Sequence, residues 1–323
     1  EAVDLGDHVR SDQGRRLSSV SGPARCISVT ASTSSRRREW RLVAPRLALR
    51  AATYLLLLTF AVVFVFPFYD MFIGSFMHDA DLFSRHPKIW PTSGFDLGTY
   101  RQLFSELGYG RPLINTFYLA VVRTLGTLFF SSLAGYTFAK RDFPARDKLF
   151  FVMLGTMMLP RQMTIVPWYL LMVQKLKWAD TYWPFWVPAW ASAFGIFWMR
   201  QYIATSVPDE MLEAATIDGC GAFGVFTRVV LPNIAPGMSV LGILTFVQSS
   251  NLFLGPLLVL SDPSKITAPL ALANFKGTTR VAPRYTLMFA GSTLATLPLL
   301  LVFFAFQRQL ISGIMSGAVK GGG

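Results

Sequence analysis

The chain is poor in cysteine, histidine and acidic residues. Its 323 residues include 2 cysteines, 3 histidines and 18 acidic residues. Cys26 and Cys220 lie far apart, so neither a disulfide framework nor a paired-cysteine metal site is indicated. Histidine is too scarce for a proton relay, and no HExxH arrangement occurs. Charged residues make up 15% of the chain, whereas soluble domains carry about 25%. The composition therefore excludes an ordinary soluble domain.

Long apolar runs dominate the chain instead. Hydrophobic residues make up 52% of it, with 28 Phe and 8 Trp, which predicts an all-α polytopic membrane protein. Pro160 and Pro167 are expected to break the third span. Six spans long enough to cross a hydrocarbon core are predicted at about residues 51–75, 113–139, 149–173, 182–203, 236–260 and 285–307.

Basic residues outnumber acidic ones, and the net charge is +12. In a soluble protein this excess would suggest nucleic acid, but most of these residues flank apolar spans, as cytoplasmic loops of membrane proteins do. The basic loop at 140–148 is therefore predicted to be cytoplasmic, together with both termini and the 204–235 loop, and no nucleic-acid partner is expected. Residues 1–44 are rich in Ser and Arg and are predicted to be a disordered basic tail. Residues 45–321 are predicted to form the membrane domain.

The stretch from Glu213 to Pro232 reads E-A-A-T-I-D-G-C-G-A-F-G-V-F-T-R-V-V-L-P. Alanine favours helix, and Gly219 tolerates a backbone that reverses direction. Apolar residues then recur at helical spacing, so a short helix, a glycine turn and a second short helix are predicted. Leu231-Pro232 is expected to end the second helix. On periodicity alone, an ordinary surface helix pair between two membrane helices remains open.

The pattern E-A-A, three residues, Gly, nine residues, an aliphatic residue, one more, then Leu-Pro resembles the cytoplasmic coupling loop of permease subunits of bacterial ABC importers. The family more often has Ile where this chain has Val229. Further segments are similar to carbohydrate-importer permeases over roughly residues 45–321. These segments are M-L-P-R-Q at 158–162, F-G-I-F-W-M-R-Q at 194–201, P-D-E-M-L-E-A-A at 208–215 and L-G-P-L-L-V-L-S-D-P at 254–263. Within these permeases, the chain is most similar to the maltose-type second permease, which ends in a short Gly-rich tail like S-G-A-V-K-G at 316–321.

The resemblance implies a type I ABC importer permease fold in the bacterial cytoplasmic (inner) membrane. It implies a second permease, two ATPase subunits and a periplasmic or lipid-anchored solute-binding protein that delivers a sugar. The chain lacks a Walker-type phosphate loop, so it is predicted to be non-catalytic and without a cofactor, with ATP bound by the partner subunits. The residues predicted to couple it to the ATPase are Glu213, Ala214, Ala215, Asp218, Gly219, Phe223, Phe226, Leu231 and Pro232.

Polar residues within spans are candidates for the translocation path, because they are costly in lipid and usually face a bundle interior or cavity. Interhelical hydrogen bonding is the alternative for each of them. A monosaccharide, an oligosaccharide or an acidic polysaccharide such as alginate all remain open as substrates, and Arg123 or Arg161, if facing the path, would favour an acidic one. The predicted path residues are Asn115, Gln162, Gln248, Ser249, Ser250 and Asn251.

An ion- or proton-coupled secondary transporter is the alternative function. Such a transporter should show internal repeats and acidic relay residues within its spans. Asp70, near the end of the first span, is the acidic residue that approaches this description. The coupling-loop pattern favours the importer.

Overall fold

A computed structural model describes residues 34–82, 88–92, 94–160, 162–278 and 285–319. The described residues form helices joined by turns, with no strand among them, which confirms the all-α class. The chain divides into two units, residues 1–62 and 63–323. The first unit contains the beginning of a helix that starts at Ser34, so residues 34–44, predicted as part of the tail, are helical.

The helices vary widely in length, and two π-helical segments interrupt the series. In chain order they are α1 (Ser34–Gly74), α2 (Asp79–Leu82), α3 (Gly98–Ser105), α4 (Gly110–Lys140), α5 (Arg146–Met157), α6 (Ile165–Tyr169) with a π-helical turn (Leu170–Lys175), α7 (Trp183–Trp190), α8 (Ala193–Ser206), α9 (Asp209–Ile217), α10 (Ala222–Val225) with a second π-helical turn (Phe226–Val230), α11 (Leu231–Asn233), α12 (Ala235–Ser250), α13 (Leu254–Val259), α14 (Ala268–Thr278) and α15 (Tyr285–Val319).

Three helices are long and apolar enough to cross a membrane without interruption. They are Leu49–Gly74, Gly110–Lys140 and Tyr285–Gln309, which confirms the first, second and sixth predicted spans. A fourth is possible if Ala222–Asn233 and Ala235–Ser250, bent by 79°, form one broken span. The described helices therefore do not confirm six spans.

Breaks in the helices explain why the other predicted spans do not appear as single long helices. The helices α5, α8 and α12 have 12, 14 and 16 residues, each shorter than the roughly 20 residues of an unbroken span. The predicted break at Pro160 is confirmed, because α5 ends at Met157. The predicted break at Pro167 is wrong: Pro167 lies in the first turn of α6, where the missing N–H has no intrahelical partner to lose.

Helix α4 is the centre of the second unit and packs against α7, α8 and α12. Glycine permits the closest approach: a Cβ added at Gly135 would lie 2.8 Å from the Met199 Cβ and 2.9 Å from the Arg200 backbone nitrogen. On the other side, α15 packs against α3, α12 and α14. Because α8 and α12 both pack against α4, the segment between them is attached at both ends to the packed centre of the unit.

Large apolar side chains cover much of the outer surface of the second unit. Phe66, Phe68, Leu301 and Phe304 are each more than half exposed. Exposed apolar area on this scale is unusual on a soluble monomer and marks a membrane or subunit surface. The second unit therefore has the surface of a membrane-embedded protein.

Candidate functional site

Residues 204–235 contain the helix, turn and second helix that the sequence predicts. Helix α9 ends at Ile217, and Gly219 follows with a φ of +84°. This left-handed backbone is readily available to glycine and strained for other residues. The second helix runs through a π-helical turn and α11 to Asn233. Leu231-Pro232 was predicted to end it, and it ends one residue later, because proline is tolerated at the first turn of α11.

The predicted coupling residues separate into an exposed set and an inward-facing set. Phe223 is 61% exposed, whereas Phe226 is 1% exposed. The exposed residues are Glu213, Ala214, Asp218, Gly219, Phe223 and Pro232, whereas Ala215 and Phe226 are buried and Leu231 is intermediate. Whether these residues couple the chain to an ATPase stays a prediction.

Ile217 is an apolar residue at the turn that the sequence analysis did not single out. Its side chain is 86% exposed, and it ends α9 next to the Asp218–Gly219 turn. It lies three residues after Ala214, so the two share a helix face, whereas Ala215 is buried. The signal in the sequence was an isoleucine within the motif itself, between Glu213 and Gly219. Ile217 and Phe223 give this loop an apolar tip.

Aromatic rings connect the tip to α4. The Phe223 and Phe226 ring centroids are 6.2 Å apart, and those of Phe226 and Tyr136 are 5.8 Å apart. Phe226 belongs to a buried cluster that joins α4, α8 and α12. The other buried members of this cluster are Tyr136, Met199, Ile203, Val207, Val230, Ile234 and Leu241. The loop therefore packs directly against the centre of the unit.

An ion pair makes a second connection between α4 and the loop. Lys140 Nζ, at the last residue of α4, is 2.8 Å from Asp209 Oδ1, at the first residue of α9. A cation at a helix C-terminus and an anion at a helix N-terminus both complement the helix dipole. The sequence alone does not predict this pair, because its members are 69 residues apart.

A cavity of about 580 Å³ lies within the second unit, between α4, α5, α6, α7, α8 and α12. Its wall mixes polar groups with the aromatic rings of Trp168, Phe185 and Phe194. This volume lies in the range of small-molecule sites, which combine apolar and aromatic surface with a few polar groups. The polar side chains in the wall are Arg123, Thr127, Thr156, Thr164, Ser192, Thr245 and Gln248.

The four polar residues 248–251 do not share one environment. Gln248 lines the cavity. The Ser249 hydroxyl donates to the Thr245 carbonyl oxygen and accepts from Arg123 Nη1, at 3.4 Å. The Ser250 hydroxyl and the Asn251 amide donate to carbonyl oxygens one turn earlier in their own helix. Of the four, Gln248 is the one with its side chain at the cavity wall.

Asn115 lies near the N-terminal end of α4 and binds a loop. Its Nδ2 donates to the carbonyl oxygens of Ser264 and Ile266, each at 2.9 Å. Gln162 is exposed, and Arg161 lies outside the described residues. Neither Asn115 nor Gln162 is among the cavity-lining residues that the structure describes, and their assignment to the path stays a prediction.

The loop that Asn115 holds contains further polar contacts. The Asp180 carboxylate accepts from the backbone N–H groups of Ser261 and Asp262. Hydrogen bonds that Ser264 donates to the Asp262 carboxylate lower the pKa of that group. These contacts order residues 261–266 at the end of the bundle opposite Lys140. Among the described residues, no cluster of His, Cys, Asp and Glu is suited to hold a metal ion.

Comparisons with known proteins agree on one family. The family model described as "Binding-protein-dependent transport system inner membrane component" matches residues 127–315, which is more than half of the chain. The arabinooligosaccharides transport system permease protein AraQ of Halalkalibacterium halodurans is 33% identical over 263 residues, which cover 81% of this chain and 93% of AraQ. The trehalose/maltose transport system permease protein MalG of Thermococcus litoralis is 31% identical over 265 residues, covering 81% and 93%.

A solved structure shows the same fold. It is the crystal structure of a bacterial ABC transporter involved in the import of the acidic polysaccharide alginate, and one of its chains matches with a TM-score of 0.71. The match is 20% identical and covers 84% of this chain and 98% of that one. At this identity the likeness concerns the fold alone.

Proposed function

Because the chain belongs to the family of binding-protein-dependent transport system inner membrane components, we propose that it is the permease subunit of a sugar ABC importer. It forms the translocation path together with a second permease and crosses the bacterial cytoplasmic membrane several times. A solute-binding protein delivers the sugar, and two partner ATPase subunits bind and hydrolyse ATP. The chain itself is not catalytic and needs no cofactor. The sugar is an oligosaccharide or polysaccharide.

The observation that carries this proposal is the two-sided arrangement of residues 204–235. The tip presents apolar side chains, Ile217 and Phe223, that are 86% and 61% exposed. The second helix of the loop is buried where it meets α4 and α8, with Phe226 and Val230 packed in one cluster with Tyr136 and Met199. Large apolar side chains that are exposed at a turn favour docking to another protein. A rigid connection from that tip to α4 suits the transfer of motion from an ATPase to the membrane helices.

The cavity supports the proposal that the chain forms a path for a sugar. Gln248, Thr127 and Thr245 offer hydrogen-bonding groups to sugar hydroxyls, and Trp168 and Phe185 offer ring surfaces. Polar groups at this depth are stabilised by facing a cavity rather than lipid. The alternative of an ion- or proton-coupled secondary transporter has no such support, because the described cavity wall contains no Asp, Glu or His.

The test is reconstitution of the complete importer in liposomes, with the chain, its partner permease, the ATPase and the solute-binding protein. We expect ATP-dependent uptake of an oligosaccharide and hydrolysis stimulated by loaded binding protein. Replacing Ile217 by Lys should release the ATPase during purification and abolish most of the stimulation, whereas Ile217→Val, which keeps the apolar shape, should retain both. Uptake driven by an ion gradient without ATP would contradict the proposal, and so would full ATPase retention in Ile217→Lys.

A further inference from the structure

Arg123 occupies an unusual position for a cation. It is the fourteenth of the 31 residues of α4, so at about 1.5 Å per residue it lies roughly 20 Å from the nearer helix end. A charged side chain at the centre of a membrane helix is costly, and such residues face a bundle interior or a water-filled cavity. Arg123 follows this rule, because it lines the 580 Å³ cavity.

The side chains around Arg123 include several polar, uncharged ones. Its Nη1 lies 3.4 Å from the Ser249 hydroxyl oxygen, and Thr127, Thr245 and Gln248 contribute to the same wall. Among the lining residues that the structure describes, Arg123 is the charged one, and the wall contains no Asp or Glu. A solute that enters this cavity therefore meets a guanidinium group at its wall.

A guanidinium group has a specific chemistry of recognition. Its five N–H donors form a planar fork that matches the oxygens of a carboxylate or a phosphate, and charge-assisted pairs of this kind are stronger than neutral hydrogen bonds. They are stronger still away from bulk water. The fork can keep a hydroxyl contact such as that with Ser249 while it donates to a ligand.

We propose that Arg123 recognises an anionic group, a carboxylate or a phosphate ester, on the polyhydroxylated solute that passes through this cavity. The inference rests on the proposed function, because it assigns a substrate class to the same path. Gln248 and the threonine hydroxyls then contact the neutral hydroxyl groups of the solute. Arg123 supplies the selection for charge.

A purely structural role would be to tie α4 to α12 through Ser249. Those two helices already pack through apolar contacts: the Phe117 and Phe246 ring centroids are 6.0 Å apart, and a Cβ at Gly242 would lie 3.3 Å from Leu128 Cδ1. Ser249→Ala removes that contact and keeps the charge, whereas Arg123→Gln removes the charge. The structural role and the recognition role therefore predict different behaviour when the charge alone is removed.

The experiment measures binding to the detergent-purified complex of permeases and ATPase, without the binding protein, so that the membrane path alone selects the ligand. The probes are two matched pairs: digalacturonate with its methyl ester, and sn-glycerol 3-phosphate with glycerol. We expect at least one charged probe to bind about tenfold or more tightly than its neutral partner, as a charge-assisted hydrogen bond implies. The pair that shows the preference distinguishes a carboxylate from a phosphate.

Variants assign the preference to Arg123. Arg123→Gln should reduce the charged probe to the affinity of its neutral partner, whereas Arg123→Lys and Ser249→Ala should retain most of the preference. Equal affinities within both pairs in the wild-type complex would overturn the inference, even if Arg123→Gln does not assemble. An undiminished preference in Arg123→Gln would also overturn it. Hydrolysis stimulated by binding protein loaded with a neutral oligosaccharide would show in either case that the proposed function stands.

Discussion

The ion pair between Lys140 and Asp209 joins two very different environments. The Lys140 side chain is 8% exposed and the Asp209 side chain is 72% exposed, while their charged atoms are 2.8 Å apart. Removing either partner therefore has a different consequence. Asp209→Ala leaves a largely desolvated ammonium without its carboxylate, whereas Lys140→Met leaves a carboxylate that water already solvates. We predict an asymmetric loss of stability.

The geometry sets the magnitude. At 2.8 Å the attraction is about 6 kcal/mol for an effective dielectric constant of about 20, and desolvation of Lys140 offsets much of it. Breaking a fully buried pair costs about 3–5 kcal/mol, and an exposed pair contributes about 0–1 kcal/mol. Because this pair lies between the two limits, we expect Asp209→Ala to cost about 2–3 kcal/mol and Lys140→Met at most about 1 kcal/mol.

The assay is denaturant unfolding of the detergent-purified complex, with both single variants and the double variant. The double variant should be about as stable as Lys140→Met alone, because both lack the buried cation. Glu210→Ala is the matched control, since it removes an exposed carboxylate from the neighbouring position of α9. Equal stability of Asp209→Ala and wild type would refute the reasoning, because it would mean that the Lys140 amine reaches water in another rotamer.

Two further predictions use matched pairs of residues. Gly219→Ala should destabilise the turn by about 1–2 kcal/mol through the left-handed backbone, as measured by proteolysis of the loop. Gly221→Ala should have little effect, because both sites have open space for a Cβ but Gly221 has an ordinary φ of −67°; equal cleavage rates would contradict this. Asn115→Asp should cost about 1–3 kcal/mol in thermal unfolding, because a carboxylate would face two carbonyl oxygens of the 264–266 segment. Asn251→Asp, at an exposed site, should cost much less, and the reverse order would show that Asn115 does not hold that loop.

Local properties of the sequence were enough to predict the all-α class and the helix, turn and second helix of residues 204–235. Average hydropathy over long windows depends on composition alone, so the all-α class and three uninterrupted spans followed from it. The turn at Gly219 could be predicted because a left-handed backbone needs glycine, whatever packs around it. The spans that are broken could not be counted in the same way. At the break between α7 and α8 the local signal is Ser192, which caps α8 by accepting from the Gly195 N–H, but one serine in an apolar stretch does not by itself predict a break.

The tertiary structure alone decided which side of each element faces inward. The sequence gives Ala214 and Ala215, or Phe223 and Phe226, similar chemistry. Phe226 is buried in the cluster with Tyr136 and Met199, and α9, which contains Ala215, packs against α10 and the second π-helical turn. One member of each pair is therefore buried and the other is exposed.

The sequence likewise does not determine which way the polar residues within the predicted spans face. Asn115 was predicted to line the path because it is a polar residue within a span, but its hydrogen-bond partners are the carbonyls of a loop about 150 residues later. Gln248 reaches the cavity while the adjacent Ser249 turns to Arg123. Periodicity marks the faces of a helix, and contacts between distant segments determine which face meets the core, the cavity or the membrane.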